Sequence, residues 1–245
     1  MADDVGSVIV RTDNLRWYQG PIFSYQYRRT PITVNVAHSS WAIRGMAVTK
    51  AVLSAFKEFK KTASAGCHVL DFGAGAWLRY VEHLQKGLPS PNVYAVEFEE
   101  AFKDEAKERR DAHAQNTTLW TPAEFRKEDQ RFDLIIAINV LNTIPEEIHQ
   151  REIFKVLANR LNPTGKLFVY QRIWAKGESE GDGGIPYGEG WIMPQSHHPH
   201  HTYHGKLGAN WFKTQAKECE LRVVDLKTDI TSGNTFFRAW ERQFD

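Results

Sequence analysis

Residues 67–77 combine a short apolar run with an acid and two alternating glycines, and this segment most constrains the fold of the chain. The pattern predicts a buried strand that passes into a helix through a tight turn. Gly73 and Gly75 have no Cβ atom, so the turn can adopt positive φ angles and bring a ligand against backbone amides. The N-terminus of the following helix adds unpaired N–H groups, which favours a nucleotide-like ligand at this turn.

From residue 67 to residue 171, predicted strands alternate with predicted helices, which is typical of a parallel sheet covered on both faces. The predicted strands of this region are 68–71, 92–97, 117–120, 132–138 and 166–171. Two later β-rich runs, 221–230 and 234–241, flank a Thr-Ser-Gly segment and predict an antiparallel hairpin. The expected fold is therefore α/β, with a doubly wound, mostly parallel seven-stranded sheet and a C-terminal antiparallel hairpin.

Between the fourth and fifth predicted strands, the segment Thr143–Glu146 has the spacing of a helix capping box. Pro145 falls at the first helical position, where its missing N–H has no consequence. We therefore expect a helix that begins at Pro145, followed by a turn at 162–165.

The chain of 245 residues contains no repeat and no linker that would divide it, so we expect a single domain over 1–245. Its expected parts are an N-terminal arm with a helix over 1–62, the alternating core over 63–173, an insertion or lid over 174–210, and a C-terminal helix and hairpin over 211–245. The arm interleaves aromatic residues with arginines, which could stack nucleic-acid bases. The net charge of only +1 favours the other interpretation, in which the arm buries its rings against the domain.

Cysteine usage and the N-terminus bear on the location of the protein. Cys67 and Cys219 lie far apart and lack the CxxC spacing, so we expect two unpaired thiols. The first five residues are acidic where a secretory signal would be basic, and the longest apolar run, 134–141, is too short to span a membrane. These features predict a cytoplasmic protein that has no membrane partner.

The segment Val69–Gly75 resembles the first motif of the class I S-adenosylmethionine-dependent methyltransferases, a Rossmann-like family. The resemblance continues in order through 132–141 and 161–167, and extends more weakly to residue 241. It implies an enzyme that binds S-adenosylmethionine and moves its methyl group, by in-line displacement, to a nucleophilic N, O, S or C atom of an acceptor. One departure is that Ala76 and Trp77 follow Gly75 where the common motif has its third glycine.

The resemblance also implies which residues contact the cofactor. Asp71 and the glycine turn lie beside the methionine part, Glu97 at the end of the second strand accepts the ribose hydroxyl hydrogens, and Phe98 packs on the adenine. The full expected set is Asp71, Gly73, Ala74, Gly75, Glu97, Phe98, Glu124, Asn139 and Val140, with Glu124 assigned to the adenine.

We expect the acceptor at the carboxyl ends of the fourth and fifth strands, between the arm and the insertion. Residues expected to face it are Asn142, Gln171, Arg172, Tyr187 and Trp191, with Tyr203 and His204 as candidate bases. A dedicated base is optional, because positioning of the two reactants already accelerates such a reaction. A small molecule is the expected acceptor, and RNA or protein is the alternative.

Three other interpretations follow from the sequence. Residues 197–204 include five histidines, but no Cys, Asp or Glu accompanies them, so a lid or substrate contact is favoured and no metal is expected. A nicotinamide-dependent oxidoreductase shares the glycine turn, but its GxGxxG motif would require glycine where this chain has Leu78. A catalytically silent methyltransferase-like subunit that binds a partner protein is the third.

Overall fold

The computed structural model of the protein describes residues 9–37, 50–75, 78–102, 108, 111–112, 116–172, 183–195, 199–229 and 234–242. The strands are β1 (Val10–Arg11), β2 (Ile22–Tyr27), β3 (Thr30–Asn35), β4 (His68–Phe72), β5 (Asn92–Val96), β6 (Thr117–Trp120), β7 (Phe132–Ile138), β8 (Leu161–Arg172), β9 (Ile185–Tyr187), β10 (Gly190–Met193), β11 (Thr202–Gly205), β12 (Leu221–Asp229) and β13 (Asn234–Arg242). The α-helices are α1 (Lys50–Lys60), α2 (Arg79–Gly87), α3 (Pro122–Phe125), α4 (Glu147–Asn159) and α5 (Ala209–Glu218). Short 3₁₀ helices cover Glu99–Phe102 and Leu141–Thr143.

The central sheet has seven strands in the order β12-β13-β8-β7-β4-β5-β6. The strands from β8 to β6 are parallel, whereas β13 pairs antiparallel with both β8 and β12. The apolar strand β7 lies in the middle, where both of its faces are covered. The predicted α/β fold is confirmed, including the C-terminal hairpin, whose tip at 230–233 lies outside the described residues.

The beginning of the fifth parallel strand, β8, differs from the prediction. Residues 162–165 were predicted as a turn, but they belong to β8 and form an irregular step in its pairing with β7. Phe132 lies opposite Leu161, and Leu134 lies opposite Lys166. A Cβ atom on Gly165 would lie 2.6 Å from the Phe132 carbonyl oxygen, so this close approach needs glycine.

The helix predicted to begin at Pro145 begins at Glu147 instead, and Thr143 does not cap it. The Thr143 hydroxyl donates a hydrogen bond to the Val140 carbonyl at 2.7 Å, inside the preceding 3₁₀ helix. The capping box occurs at the other Thr-x-x-Glu segment of this region. There the Thr121 hydroxyl accepts from the Glu124 amide at 3.2 Å, and the Glu124 carboxylate accepts from the Thr121 amide at 2.7 Å.

The sheet separates two hydrophobic clusters because successive residues of a strand point to opposite faces. Leu134 and Ile136 pack with α1 and α2 on one face, and Ile135 and Ala137 pack on the other face. The second cluster also contains α4, α5, the N-terminal arm and the inserted strands. The helix predicted within residues 1–62 is described only from Lys50 onward, and Trp77 lies outside the described residues.

The arm and the insertion each form a small antiparallel sheet, β1-β2-β3 and β9-β10-β11, and the two are joined. The Asn35 amide donates to the His201 carbonyl at 2.9 Å, and the His201 amide donates to the Thr33 carbonyl at 2.8 Å. Trp17, Phe23 and Tyr25 of the arm are buried. This burial supports the interpretation in which the arm covers the domain and does not offer these rings to nucleic acid.

Cys67 is buried and Cys219 is partly buried, and neither forms a disulfide bond, as predicted. Within the described part of the chain, we find no helix with the length and apolar character needed to cross a membrane. The cytoplasmic location stays a prediction.

Candidate cofactor and acceptor site

A pocket opens at the carboxyl ends of β4, β5 and β7, the edge where open parallel sheets bind ligands. Its described lining residues are Trp17, Val36, Phe72, Gly73, Val96, Glu97, Phe98, Pro122, Ile138, Asn139, Val140, Thr143, Ile144 and Ile153. The structure thus brings together five of the predicted cofactor contacts: Gly73, Glu97, Phe98, Asn139 and Val140.

The glycine turn is shaped by contacts that leave no room for side chains. Gly73 and Gly75 have φ angles of 72° and 69°. A Cβ atom on Gly73 would lie 2.3 Å from Cγ2 of Val140, so bare backbone is required at this point of the pocket wall. The Gly73 and Ala74 amides both donate to the Val96 carbonyl, at 2.8 and 3.2 Å, which ties the turn to the end of β5.

Glu97 follows β5 directly, and its carboxylate is held by two backbone amides. Gly75 donates to Oε2 at 2.8 Å, and Phe98 donates to Oε1 at 2.9 Å. Burial raises the pKa of Glu97 to about 7, although these two hydrogen bonds act in the opposite direction. Each oxygen keeps a second lone pair, so the fixed carboxylate can still accept from a pair of ligand hydroxyls.

Asp71 lies within β4 and is only 1% exposed. Neither of its carboxylate oxygens has a hydrogen-bond partner among the described residues. Burial, with a further contribution from the nearby Glu97, raises the pKa of Asp71 to about 8. A buried carboxylate in this condition is unfavourable until a donor reaches it. Asp71 is not among the described residues that line the pocket.

Asn139 follows β7 and has a φ angle of 55°, in the left-handed region. Its amide donates to the Tyr170 carbonyl at 2.7 Å, which fixes this conformation. Asn adopts such angles more readily than most residues, and strained backbone of this kind clusters at ligand sites. The bend places Asn139 and Val140 on the pocket wall.

Glu124, which was assigned to the adenine, is not among the described residues that line the pocket. Its side chain is exposed, and Oε2 accepts from both the amide and the hydroxyl of Thr121, at 2.7 and 3.0 Å. The same hydrogen bonds lower the pKa of Glu124. Pro122 is the residue of this segment that lines the pocket.

None of the residues predicted to face the acceptor is among the described residues that line this pocket. The Gln171 side chain is fully buried and donates to the Leu207 carbonyl at 2.6 Å. Trp191 is buried beneath Lys206, whose Nζ lies 4.0 Å from the ring centroid. Asn142 is buried in the 3₁₀ helix, and only the backbone of Arg172 is described.

The two candidate bases, Tyr203 and His204, are also not among the described residues that line the pocket. Tyr203 is 1% exposed and donates its hydroxyl hydrogen to the Tyr187 carbonyl at 3.2 Å. Burial raises the pKa of Tyr203, which keeps the phenol protonated and unsuited to act as a base. His204 is half-buried in β11, with Nε2 3.4 Å from the Thr202 hydroxyl. Glu97 is the only titratable side chain among the described residues that line the pocket.

The arm borders the pocket as predicted, whereas the wall contributed by the segment that includes α4 was not predicted. Trp17 and Val36 come from the arm, while Thr143, Ile144 and Ile153 come from the segment that includes α4. The Trp17 ring packs edge-on against Phe72, with centroids 5.9 Å apart. The aromatic residues of the arm were the available signal, but the sequence does not show which of them reaches the strand ends.

One carboxylate holds the arm and the insertion onto α4. Glu146 Oε1 accepts from the Tyr25 hydroxyl of β2 at 3.0 Å and from the Tyr187 hydroxyl of β9 at 2.6 Å. The rings of the two tyrosines also contact each other, with centroids 5.1 Å apart. Tyr187, predicted as a substrate contact, is therefore engaged by Glu146, which lies directly after the wall residues Thr143 and Ile144.

The histidine-rich segment contributes to structure where it is described. His200 Nδ1 lies 2.8 Å from the Thr33 hydroxyl, and the main chain of His201 joins β3. His197 and His198 lie outside the described residues. Among the residues that are described, no group of three or more His, Cys, Asp or Glu side chains could hold a metal ion.

Residues 70–167, which include the glycine turn, Glu97 and Asn139, match the family model of a methyltransferase domain. This part of the chain is therefore similar to a methyltransferase domain. Comparison with curated protein sequences finds no match.

Solved structures of methyltransferases show the same fold as this chain. An S-adenosylmethionine-dependent methyltransferase from Clostridium acetobutylicum is 13% identical, with 84% of this chain and 98% of that chain covered and a TM-score of 0.63. An amino pentose methyltransferase from Micromonospora echinaspora, solved with S-adenosylmethionine, is 13% identical, with 85% and 97% covered and a TM-score of 0.58. The 1,6-didemethyltoxoflavin-N1-methyltransferase from Burkholderia thailandensis is 15% identical, with 79% of each chain covered and a TM-score of 0.52. The predicted fold is confirmed, and the match over residues 70–167 supports the predicted methyltransferase family and its S-adenosylmethionine cofactor.

Proposed function

We propose that the protein binds S-adenosylmethionine at the carboxyl ends of β4, β5 and β7 and transfers the methyl group to a small-molecule acceptor. The observation that carries the proposal is the Glu97 carboxylate, which two backbone amides fix on the wall of a pocket at this sheet edge. This geometry suits the ribose hydroxyls of a nucleoside.

The residues present fit this cofactor. Asp71 offers a buried carboxylate that lacks a hydrogen-bond partner among the described residues, which suits the ammonium of an amino-acid tail. Gly73 provides a wall without a side chain, and Phe98 an aromatic surface. When bound, the cofactor supplies an electrophilic methyl group. The contribution of the protein is to hold both reactants in a productive orientation and to exclude water.

The acceptor half of the pocket favours a small molecule. Its walls are Trp17 and Val36 from the arm and Thr143, Ile144 and Ile153 from the segment that includes α4, so an acceptor lies between two parts of the same chain. One aromatic ring, three aliphatic side chains and one hydroxyl suit a compact, largely apolar molecule. The Micromonospora and Burkholderia enzymes act, by their descriptions, on an amino pentose and on 1,6-didemethyltoxoflavin.

The cofactor part is tested by calorimetric titration of the full-length protein with S-adenosylhomocysteine and, separately, with NAD. We expect S-adenosylhomocysteine to bind and NAD not to bind. In Glu97→Gln, the new amide group would face the N–H of Gly75 or Phe98, so affinity should fall about tenfold to a hundredfold. The matched control is Glu100→Gln, three residues away and exposed, which should bind as the wild type does. Tight NAD binding without S-adenosylhomocysteine binding would reassign the protein to the oxidoreductases.

The acceptor part is tested by transfer of a radiolabelled methyl group from S-adenosylmethionine to cell extract that has been separated into small molecules, RNA and protein. We expect label in the small-molecule fraction. Label in RNA or protein would replace the acceptor assignment and leave the cofactor assignment intact. Binding of S-adenosylhomocysteine without any transfer would favour the silent-subunit interpretation.

A further inference from the structure

A second cavity lies between α1 and α2, on the face of the sheet opposite the arm. We call it the α1–α2 groove. Its described lining residues are Leu53, Phe56, Lys57, Phe59, Lys60, His83, Leu84, Gly87, Leu88 and Leu134. It shares no lining residue with the cofactor pocket, and its floor includes Leu134 from the beginning of β7, whereas the cofactor pocket begins at Ile138, at the end of that strand.

The floor of the α1–α2 groove is apolar. Phe59, Leu84 and Leu134 belong to the hydrophobic cluster beneath the two helices. The lining residues of α1 extend from Leu53 to Lys60, about two helical turns or roughly 10 Å. An apolar cavity offers water few hydrogen-bond partners. When the cavity is empty, its lining atoms also lack van der Waals contacts, so an alkyl chain is the favoured occupant.

The rim of the groove is basic. Lys57, Lys60 and His83 are exposed there, and none of the described residues that line the groove is acidic. Within the described chain, neither of these two lysines forms an ion pair, in contrast to Lys86 of α2, which pairs with Glu82 at 2.6 Å.

A further cation lies beside the floor. Lys166 is directly opposite Leu134 in the sheet and is 9% exposed. Its Nζ lies 5.5 Å from the centroid of the Phe59 ring and 3.1 Å from the Thr62 hydroxyl. Positive groups around a cavity of low dielectric constant attract an anion more strongly than the same groups on an open surface.

We propose that the α1–α2 groove is a binding site for a medium-chain carboxylate, with the alkyl chain on Leu84 and Leu134 and the carboxylate at Lys57 and Lys60. The combination of an apolar floor with an unpaired basic rim matches both parts of such an amphiphile. The site is separate from the methyl-transfer pocket, so the proposal does not depend on the proposed function.

The test uses the full-length protein, titrated with dodecanoate below its micelle concentration in the presence of saturating S-adenosylhomocysteine. Dodecanol and dodecylamine, which have the same chain with a neutral and a cationic head group, are the comparison ligands. We expect dodecanoate to bind at one site and the two comparison ligands to bind at least about fivefold more weakly. Equal affinity for all three ligands would show that the rim does not select an anion and would overturn the proposal.

Two double variants locate the site. In Lys57→Gln/Lys60→Gln, dodecanoate should bind about fivefold to tenfold more weakly, since two charge interactions at a partly exposed rim are lost. The matched control is Lys213→Gln/Lys217→Gln on α5, where both lysines are exposed, and this variant should bind dodecanoate as the wild type does. All four substitutions are at exposed positions, so the variants should unfold at the wild-type temperature.

Two outcomes would refute the assignment. Unchanged dodecanoate affinity in the Lys57 and Lys60 variant would place the ligand elsewhere. A concentration-dependent dimer that this variant disrupts would make a second copy of the chain the occupant of the α1–α2 groove.

Discussion

The two halves of the proposed methyl-transfer pocket, the cofactor half and the acceptor half, are built in different ways. In the cofactor half, Glu97 is held by the amides of Gly75 and Phe98, and the glycine turn is held by the Val96 carbonyl, so main-chain groups at adjacent strand ends fix the geometry. In the acceptor half, side chains fix the geometry, because Glu146 joins the arm and the insertion to α4 through two tyrosine hydroxyls. A substitution can therefore reshape the acceptor half more easily than the cofactor half.

The largest expected effect comes from Gly73→Ala, which attacks the main-chain geometry directly. The new Cβ would lie 2.3 Å from Val140 at a φ of 72°, so we expect a loss of about 2–4 kcal/mol in the free energy of unfolding. Calorimetry should detect no S-adenosylhomocysteine binding. Gly20→Ala, where no atom lies within 4 Å, is the control and should leave both measurements unchanged. Wild-type binding by Gly73→Ala would mean that the turn is not part of the site.

Glu146→Ala is the corresponding test of the acceptor half. It leaves the buried hydroxyls of Tyr25 and Tyr187 without their acceptor, so the free energy of unfolding should fall by about 2–3 kcal/mol in urea denaturation. Affinity for S-adenosylhomocysteine should stay within about twofold of wild type, because Glu146 lies outside the cofactor half. Its neighbour Glu147 makes only an exposed ion pair with Arg151, and Glu147→Ala should cost about 0.5 kcal/mol. If Glu146→Ala weakened S-adenosylhomocysteine binding by clearly more than about twofold, the two halves would not be independent.

Asp71→Asn should separate stability from binding within the cofactor half. The substitution removes a buried ionisable group without a hydrogen-bond partner among the described residues, so the ligand-free protein should unfold at the same or a higher temperature. Affinity for S-adenosylhomocysteine should fall about tenfold to a hundredfold as the charged acceptor is lost. A less stable variant with unchanged affinity would assign Asp71 a structural role.

The pH dependence provides a smaller test of the same carboxylates. Burial raises the pKa of Asp71 to about 8 and that of Glu97 to about 7, so both groups are largely protonated in the ligand-free protein at pH 6. Because the folded pKa values lie above the unfolded values, stability should decrease as pH rises from about 4 to 8. Affinity for S-adenosylhomocysteine should rise about tenfold between about pH 6 and pH 8, since the ionised carboxylates bind its ammonium and hydroxyl groups. This rise should be smaller in Asp71→Asn, and affinity that is independent of pH in the wild type would argue against a direct carboxylate contact.

The smallest effect is expected at the capping box of α3. Thr121→Ala removes the hydroxyl that accepts from the Glu124 amide, so the free energy of unfolding should fall by about 1 kcal/mol. Affinity for S-adenosylhomocysteine should not change in Thr121→Ala or in Glu124→Gln. Weaker binding in Glu124→Gln alone would restore Glu124 to the cofactor site.

The sequence was sufficient where local signals decide the structure. The glycine turn was predicted because a short apolar run, Asp71 and two alternating glycines all lie within a few positions of each other. The sequence was insufficient where residues that are distant along the chain determine the local structure. The segments beginning at Thr121 and Thr143 have the same Thr-x-x-Glu spacing, and only one forms a capping box, because Glu146 is engaged by Tyr25 and Tyr187.

The acceptor site shows the same limit. Gln171 and Trp191 were assigned to the acceptor from their positions after the fifth strand, yet both are buried by contacts with Leu207 and Lys206. Trp17 and Ile153, which do line the pocket, come from segments 136 residues apart. No periodicity in the sequence predicts that Trp17 and Ile153 line one pocket, because this depends on how the arm packs against the folded sheet.

The β-bridge between Val34 of the arm and His201 of the insertion determines which parts of the chain can fold first during synthesis. The glycine turn, Glu97 and the neighbouring strands lie between residues 68 and 138, so this part can assemble while later residues are still being added. The arm leaves the ribosome first, but its hydrogen-bond partner in the insertion is made 167 residues later. Contacts that close such long loops form slowly. A nascent chain stalled before residue 201 should therefore hold its nucleoside pocket while its N-terminal hairpin stays accessible to proteases.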